Sequence, residues 1–531
     1  MATWIAAMTD WRKVLIYTHR WLGIAGCLVF LLWFLSGIVM MYQRMPRLPA
    51  GERLSRIARL DTASIRVPLE RAAREAQIVP DRVRVGMLGE RPVYRLSAGG
   101  LWTTVFADTG EVLRELSAPE SLAIARGFAP EYAATMSLAG RMDRPDQWTL
   151  DGGLSRFLPM YRVGFGDPVG TVLYVSARTG DAVMQTTGRG RAWGYLGAVL
   201  HWTYFTPFRE RRVLWRYTII SVALVGCVMC LSGLAIGIWR WSPSKRFRLK
   251  RTASHSPYSG LMWWHHYAGL LFGLFSFTWA LSGALSLTPW DWVPSTSPGA
   301  EQVAAVTGGD LRLELLTPDR LEAAAAEIGR TFPPKELEIL QFRGEPFAMA
   351  YRPPEPGSSS SSNNPDVNAF ESATLNIDHR IVWAAAPGRG SFTRFDTAAV
   401  EEAARLAMPD TAVEDLTWLE EQDSYYYDRW SPRPLPVLRV RYADHDGTWL
   451  YLDAQHGQVV LREDRRTRLN RWLYNGLHSI DFPFLYQRRP AWDLIVLVLS
   501  AGGVGLSVTT MLPAWRRLKR RVRERLRGGV P

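Results

Sequence analysis

Trp21–Tyr42 reads WLGIAGCLVFLLWFLSGIVMMY, a run without a single charged side chain. A helix needs about twenty apolar residues to cross a hydrocarbon core of roughly 30 Å. Three other stretches are equally free of charge: Tyr217–Trp239, Tyr267–Thr288 and Leu494–Leu512. The mean hydropathy of the 531-residue chain is only −0.08, so its apolar residues are concentrated in these four runs. The expected fold class is a membrane protein with four transmembrane α-helices.

The net charge of +13, from 63 Lys/Arg against 50 Asp/Glu, would suit a nucleic-acid partner, but its placement argues against one. Arg240, Lys245, Arg246, Arg248, Lys250 and Arg251 sit in one short loop with no acid. Eight more cations lie between Arg516 and Arg527, against Glu524 alone. Short basic segments beside membrane helices mark the cytoplasmic side, and a basic tail also suits anionic lipid. Both termini are therefore expected inside, and the long connections, about 43–200 and 289–480, outside. The first run is too long for a signal-peptide core and has no convincing small-residue cleavage site after it, so it reads as an uncleaved signal anchor. Cys27, Cys227 and Cys230 all fall within apolar runs, which excludes a disulfide framework outside them. Cys227-Val-Met-Cys230 has the spacing of a redox motif but reads as packing in an apolar helix.

The chain contains a duplication. Shifted by 277 positions (435 − 158), Leu158–Trp215 lies over Leu435–Trp492 without a gap and with 21 identities in 58 positions. The matches include Leu158-Pro159 with Leu435-Pro436, His201 with His478, Arg211-Arg212 with Arg488-Arg489 and Trp215 with Trp492. A shift of 246 (265 − 19) pairs His19 with His265, Gly23 with Gly269, Trp33 with Trp279 and Leu35-Ser36-Gly37 with Leu281-Ser282-Gly283. The unit helix–outer domain–helix thus occurs twice, and two parallel repeats imply a pseudo-two-fold axis along the membrane normal.

These readings divide the chain as follows. Residues 1–42 hold the N-terminal segment and first membrane helix, and 43–192 the first outer domain. Residues 193–240 hold an outer histidine helix and the second membrane helix, followed by a basic cytoplasmic loop at 241–262. The third membrane helix occupies 263–288 and the second outer domain 289–469. Residues 470–513 hold another outer histidine helix and the fourth membrane helix, before a basic tail at 514–531. The outer domains read as α+β. Leu69–Ala76 and Arg320–Ile328 are amphipathic, while Pro92–Phe106 and Val437–Leu452 alternate as strands do. Asp108-Thr-Gly110, Arg178-Thr-Gly180 and Gln455-His-Gly457 mark turns, and the Ser/Asn-rich Pro353–Asp366 a flexible loop.

Nine histidines occur in the chain. His19 and His265 each begin a membrane helix on the inner side, and His201 and His478 each precede one on the outer side. A two-fold pseudo-axis brings each pair to one point in the bundle. Imidazole is a common axial ligand of haem iron, and bundle cores hold cofactors between facing helices. Gly23 and Gly269 lie one turn after their histidines and leave room for a flat macrocycle. Two nitrogens per face, with no cysteine or carboxylate, do not make a closed zinc site, whereas haem needs only two axial ligands. His266 adjoins His265 and is the alternative inner ligand; the repeat alignment favours His265. Arg211, Arg212, Arg488 and Arg489 either pair with haem propionates or anchor helix ends at headgroups. The helix bearing His201 is expected to end near Pro207. His255, His379, His445 and His456 receive no role.

The chain resembles the PepSY-associated transmembrane family, whose members include ferric-siderophore reductases of bacterial cytoplasmic membranes. The residues that carry the resemblance are His19-Arg-Trp-Leu-Gly23, His265-His-Tyr-Ala-Gly269, Leu200-His201 and Leu477-His478-Ser479. PepSY-like segments in the outer domains are Leu435-Pro-Val-Leu-Arg-Val and Tyr451-Leu-Asp-Ala-Gln-His-Gly457. The resemblance spans essentially the whole chain. It implies two haem b groups and outward electron transfer to a ferric siderophore or other ferric complex in the periplasm, with reduction weakening the hold of hard oxygen ligands on the iron. At His201-Trp-Thr-Tyr the sequence departs from the family's more usual His-Ser/Thr-Gly.

The leading expectation is therefore a haem-dependent ferric reductase in a bacterial inner membrane, fed by a cytoplasmic or quinol donor. No nucleotide fingerprint or flavin domain is present, and no catalytic acid or nucleophile can be named. Two alternatives are an iron or siderophore permease and a non-redox binding or regulatory membrane protein. The first is weakened by the lack of intramembrane carboxylates or lysines; the second leaves paired histidines without a purpose.

Overall fold

The computed structural model describes residues 2–150, 153–249, 252–354, 377–428 and 433–527. The Ser/Asn-rich stretch that starts at Pro353, beyond its first two residues, and the loop cations Lys250 and Arg251 lie outside them. The chain divides into two compact units, one of Met1–Arg44, Ala192–Val293 and Leu469–Pro531, the other of Met45–Arg191 and Pro294–Arg468.

The first unit holds four helices: α1 (Ala2–Met40), α2 (Arg212–Arg240), α3 (Leu261–Ser286) and α4 (Ala491–Arg527). Each contains a segment of 26 to 30 residues long and apolar enough to cross a membrane. The helices start ahead of their charge-free runs, so His19 lies well inside α1 rather than at its beginning. α1 packs against α2 and α4, and α3 packs against the same two, so α1 and α3 face each other across the centre. Glycines allow this closeness: a Cβ at Gly226 would lie 2.7 Å from Phe30 Cζ, and one at Gly503 would strike the Phe34 ring. Phe30, Phe34, Cys227, Cys230 and Ala280 fill the middle of the bundle, so two of the three thiols are packing groups.

The segments before α2 and α4 share one unusual shape. Each contains a wide π-helical turn, Tyr195–Val199 and Trp472–Gly476, then a last helical turn bearing the histidine, Leu200–Trp202 and Leu477–Ser479. Each ends on a β-branched residue in the left-handed region, Thr203 at φ +55° and Ile480 at φ +52°. Such residues rarely adopt this conformation, and π-turns concentrate at functional sites. Trp215 Nε1 donates to the Trp202 carbonyl and Trp492 Nε1 to the Ser479 carbonyl, both at 3.0 Å, tying each terminated turn to the membrane helix that follows. Pro207 does not break the histidine helix as expected. The left-handed Thr203 ends it, and Pro207 sits in the first turn of a short helix, Thr206–Arg209, where its missing N–H costs nothing.

The second unit is α+β. Its first connection supplies β1 (Arg82–Leu88), β2 (Arg91–Ala98), β3 (Leu101–Phe106), β4 (Ser137–Met142), β5 (Met160–Gly164), β6 (Val172–Ser176) and β7 (Ala182–Thr186). The second supplies β8 (Leu337–Phe342), β9 (Glu345–Tyr351), β10 (His379–Trp383), β11 (Ser391–Phe392), β12 (Val413–Leu419), β13 (Val437–Tyr442), β14 (Trp449–Asp453) and β15 (Gln458–Glu463). β4-β5-β6-β7 and β12-β13-β14-β15 are two antiparallel four-stranded sheets of the same order, and the remaining strands form one sheet, β11-β10-β9-β8-β1-β2-β3. In that sheet β1 pairs antiparallel with β8, Val83 opposite Ile339 and Val85 opposite Leu337. The two connections, expected as separate outer domains, therefore share a sheet and a core. Their pairing covers two apolar edges that would otherwise invite aggregation. The helices Leu69–Glu75 and Pro318–Gly329 bury Leu69, Leu321 and Ile328 against Val83, Val85, Leu337 and Ile339.

A buried ion network also joins the two connections. Arg53, 1% exposed, forks both carboxylate oxygens of Glu336 at 3.0 and 2.7 Å and lies 3.6 Å from Asp181, which Arg95 meets at 2.9 Å. Burial alone would raise the Glu336 pKa, but the Arg53 guanidinium outweighs it and holds the carboxyl at about 2.

Candidate functional site

α1 presents His19 and α3 presents His265, with ring centres 6.2 Å apart. The turns ahead of α2 and α4 present His201 and His478, with ring centres 6.0 Å apart. The second pair lies against Ser36 and Ser282, seventeen residues along α1 and α3 from the first (36 − 19 and 282 − 265). At 1.5 Å per residue the pairs are about 25 Å apart along the helices, at opposite ends of the bundle.

Each ring is held through Nδ1 by a polar group of the protein. A carbonyl oxygen can only accept, so the ring nitrogen facing it must carry the proton. His19 Nδ1 lies 3.0 Å from the Met229 carbonyl. His201 Nδ1 lies 3.2 Å from both the Trp33 carbonyl and Ser36 Oγ, and the serine directs its own proton to the Leu32 carbonyl at 2.6 Å. His478 Nδ1 lies 3.1 Å from Ser282 Oγ, whose proton goes to the Trp279 carbonyl. His265 Nδ1 lies 3.0 Å from Thr509 Oγ1, which donates to the Gly505 carbonyl. All four imidazoles thus spend Nδ1 on a polar group of the protein, and for His19 and His201 that group is a backbone carbonyl, so Nδ1 carries the proton. That is the state of a metal-bound histidine, whose outer N–H is held by a second group.

The spacing fits the same chemistry. Two imidazoles bound to one metal from opposite sides, with nitrogen–metal distances of about 2.0 Å, have ring centres roughly 6 Å apart. Among the described residues no group of three or more His, Cys, Asp or Glu is arranged to hold a metal ion. The donor set is therefore two nitrogens per site, which suits a metal that brings its remaining ligands with it. At Gly23 an added Cβ would meet only Thr510 Cγ2 at 3.7 Å, and at Gly269 only Leu506 Cδ2 at 3.9 Å. Protein packing thus does not demand glycine at either position, and a flat group lying against the helix would.

The other histidines are spent elsewhere. His266 Nε2 donates to the Gly237 carbonyl at 2.8 Å, and its Nδ1 accepts from Ser256 Oγ at 2.8 Å. Its ring is satisfied on both sides and does not join His19. His255 Nδ1 donates to the Ser242 carbonyl, and His445 is exposed. Arg211, Arg212, Arg488 and Arg489 are all exposed at the starts of α2 and α4, and Arg489 forks Asp493 at 2.9 and 2.6 Å. Sequence reasoning missed the acceptors that orient the rings. Ser36 and Ser282 were visible as small residues one step before glycines, but Thr509, Thr510 and the Met229 carbonyl carry no signal outside the folded chain.

No protein-family model matches the chain, and no curated protein matches it.

Proposed function

We propose that this protein carries electrons across a bacterial cytoplasmic membrane through two b-type haems and delivers them to a ferric siderophore or another ferric complex in the periplasm. One observation supports this above the others: two imidazole pairs stand at opposite ends of one apolar bundle, each ring held through Nδ1 by a polar group of the protein. His19 and His265 would hold the cytoplasmic-side haem, and His201 and His478 the periplasmic-side one. A bound haem supplies an iron that takes up and gives back one electron. The protein's residues do the rest. Met229, Ser36, Ser282 and Thr509 hold the rings in one tautomer, Gly23 and Gly269 leave the helix faces flat, and Phe30, Phe34 and Trp279 keep water from the centre. One electron converts one ferric ion to ferrous, which hard oxygen ligands hold less strongly. The reduction of the ferric ion itself moves one electron and no proton, so that step requires no acid or base of the chain.

The cytoplasmic placement of both termini follows from the basic loop and tail, and the electron donor is cytoplasmic or a quinol. The two halves read as a duplication of PepSY-associated type. In support, the hydrogen bonds Tyr174–Asp146 and Tyr451–Asp423 are both 2.9 Å, and Thr171–Asp167 and Thr448–Asp444 both 2.6 Å, each related by the 277 shift.

The test is to reduce purified protein with dithionite, remove the reductant anaerobically and add a ferric siderophore. A b-type spectrum should reoxidise as ferrous iron appears in a chelator assay. A spectrum that ferricyanide reoxidises but no ferric chelate does would contradict the assigned acceptor.

A further inference from the structure

We propose that Gly233 and the Met229 carbonyl form the seat of His19, and that this makes the two ligands of the inner pair inequivalent. The inference rests on the haem reading above. The Met229 carbonyl accepts from His19 Nδ1 at 3.0 Å and from Ser232 Oγ at 2.9 Å. One turn on, Gly233 lies directly beneath the ring. A Cβ there would stand 2.5 Å from His19 Cε1, 2.9 Å from Nδ1 and 3.3 Å from Nε2. Separations of this kind cannot be absorbed by a small adjustment, because the ring is the far end of a short side chain already bonded to the same helix. Any side chain at 233 must drive the imidazole off the carbonyl.

The other half solves the same problem differently. The 277 shift sets Thr509 over Ser232 and Thr510 over Gly233. There His265 Nδ1 meets Thr509 Oγ1 at 3.0 Å and Thr510 Oγ1 at 3.4 Å. A hydroxyl turns about its own side chain and follows a moving ring, whereas a backbone carbonyl within a helix cannot. His19 is therefore fixed by a gap and a rigid acceptor, and His265 by two adjustable ones. Gly233 is a positioning residue: it acts on bound haem only through the ring that it admits.

The experiment uses the full chain, purified with haem in ample supply. In Gly233→Ala the pyridine haemochrome count should fall from two haems to about one, and the remaining haem should keep its low-spin bis-histidine EPR signal. That signal should disappear when His478→Ala is added. Gly226→Ala crowds the same helix against Phe30 at 2.7 Å without touching a histidine, and should retain both haems. Ser232→Ala adds no volume and leaves His19 as the side-chain donor to the Met229 carbonyl. A stronger Nδ1–H bond makes the imidazole a better donor, so the inner haem's midpoint potential should fall while the outer one's stays. The proposal is overturned if Gly233→Ala keeps two haems with unchanged signals, if Gly226→Ala loses a haem in the same way, or if Ser232→Ala moves neither potential. Wild-type protein that binds no haem overturns the haem reading itself, a distinct result.

Discussion

Three pairs of histidine rings in this molecule stand about equally close, and they are set in different surroundings. In the membrane unit the centres lie 6.2 and 6.0 Å apart, and in the other unit His379 and His456 stack with centres 5.8 Å apart. In the stacked pair both nitrogens of each ring face polar groups of the protein. His379 meets the Ile377 and Thr393 carbonyls at 3.1 and 2.8 Å, while His456 is paired with Asp453 through Nδ1 and lies 2.8 Å from the Tyr351 hydroxyl through Nε2. Ring proximity therefore does not identify a ligand site. In the membrane pairs each ring is held by the protein through Nδ1.

The largest contrast should come from removing one ring of each kind. His478→Ala should lower the haem content from two to about one without unfolding the second unit. His456→Ala should leave both haems in place but strand the Asp453 carboxylate, which is fully buried, at a cost of about 3–5 kcal/mol in thermal or denaturant unfolding. Haem loss in His456→Ala with stability unchanged would break the distinction. Next in size is the contrast between neighbours. His265→Ala should lose the inner haem, whereas His266→Ala should keep it and cost about 1–3 kcal/mol, chiefly for the Ser256 hydroxyl left without its acceptor. Haem counts on the two variants decide this directly.

The pH response of the two regions sharpens the comparison further. Burial disfavours a charged His456, but the Asp453 carboxylate outweighs it and raises the pKa above its usual value. The stability gained from that pair is whole below about 6.5 and is lost as pH rises through the raised value. Glu336 works in the other direction: its contribution is whole above about 4.3 and is lost as pH falls toward about 2. Amide exchange in β8 and β14 should quicken at both extremes, with His456→Gln flattening the alkaline limb and Glu336→Gln the acid limb. Identical limbs in the variants would refute the assignment. The smallest effect is expected at Ile480, where glycine relieves a left-handed β-branched residue. Ile480→Gly should change stability by no more than about 1 kcal/mol while broadening the outer haem's EPR signal, because His478 loses its rigid terminus.

Much of this arrangement was legible in the linear chain, for physical reasons. A lipid core admits only helices and closed barrels, and a run of about twenty residues without charge suits a helix and not a barrel strand. Internal matching at two fixed shifts singles out His19, His201, His265 and His478 among nine histidines and favours His265 over its neighbour. The shared sheet was not legible. β1 and β8 are separated by some 250 residues of sequence, and alternation shows that a strand exists without naming its partner. Nor was the seat of His19, because a glycine on α2 and a backbone carbonyl acquire meaning only when α1 lies beside them. Pro207 misled for a simpler reason: proline both breaks and begins helices, and only the left-handed Thr203 shows which applies.

The central claim is that two paired-imidazole sites each hold one haem. Reduced-minus-oxidised absorption spectra with a pyridine haemochrome count, taken on full-length protein purified from haem-replete cells, test it most directly. A b-type spectrum at two haems per chain is expected, falling to about one in His265→Ala and in His201→Ala and to none when the two are combined. A haem-free protein, or a count unaffected by either substitution, would contradict it.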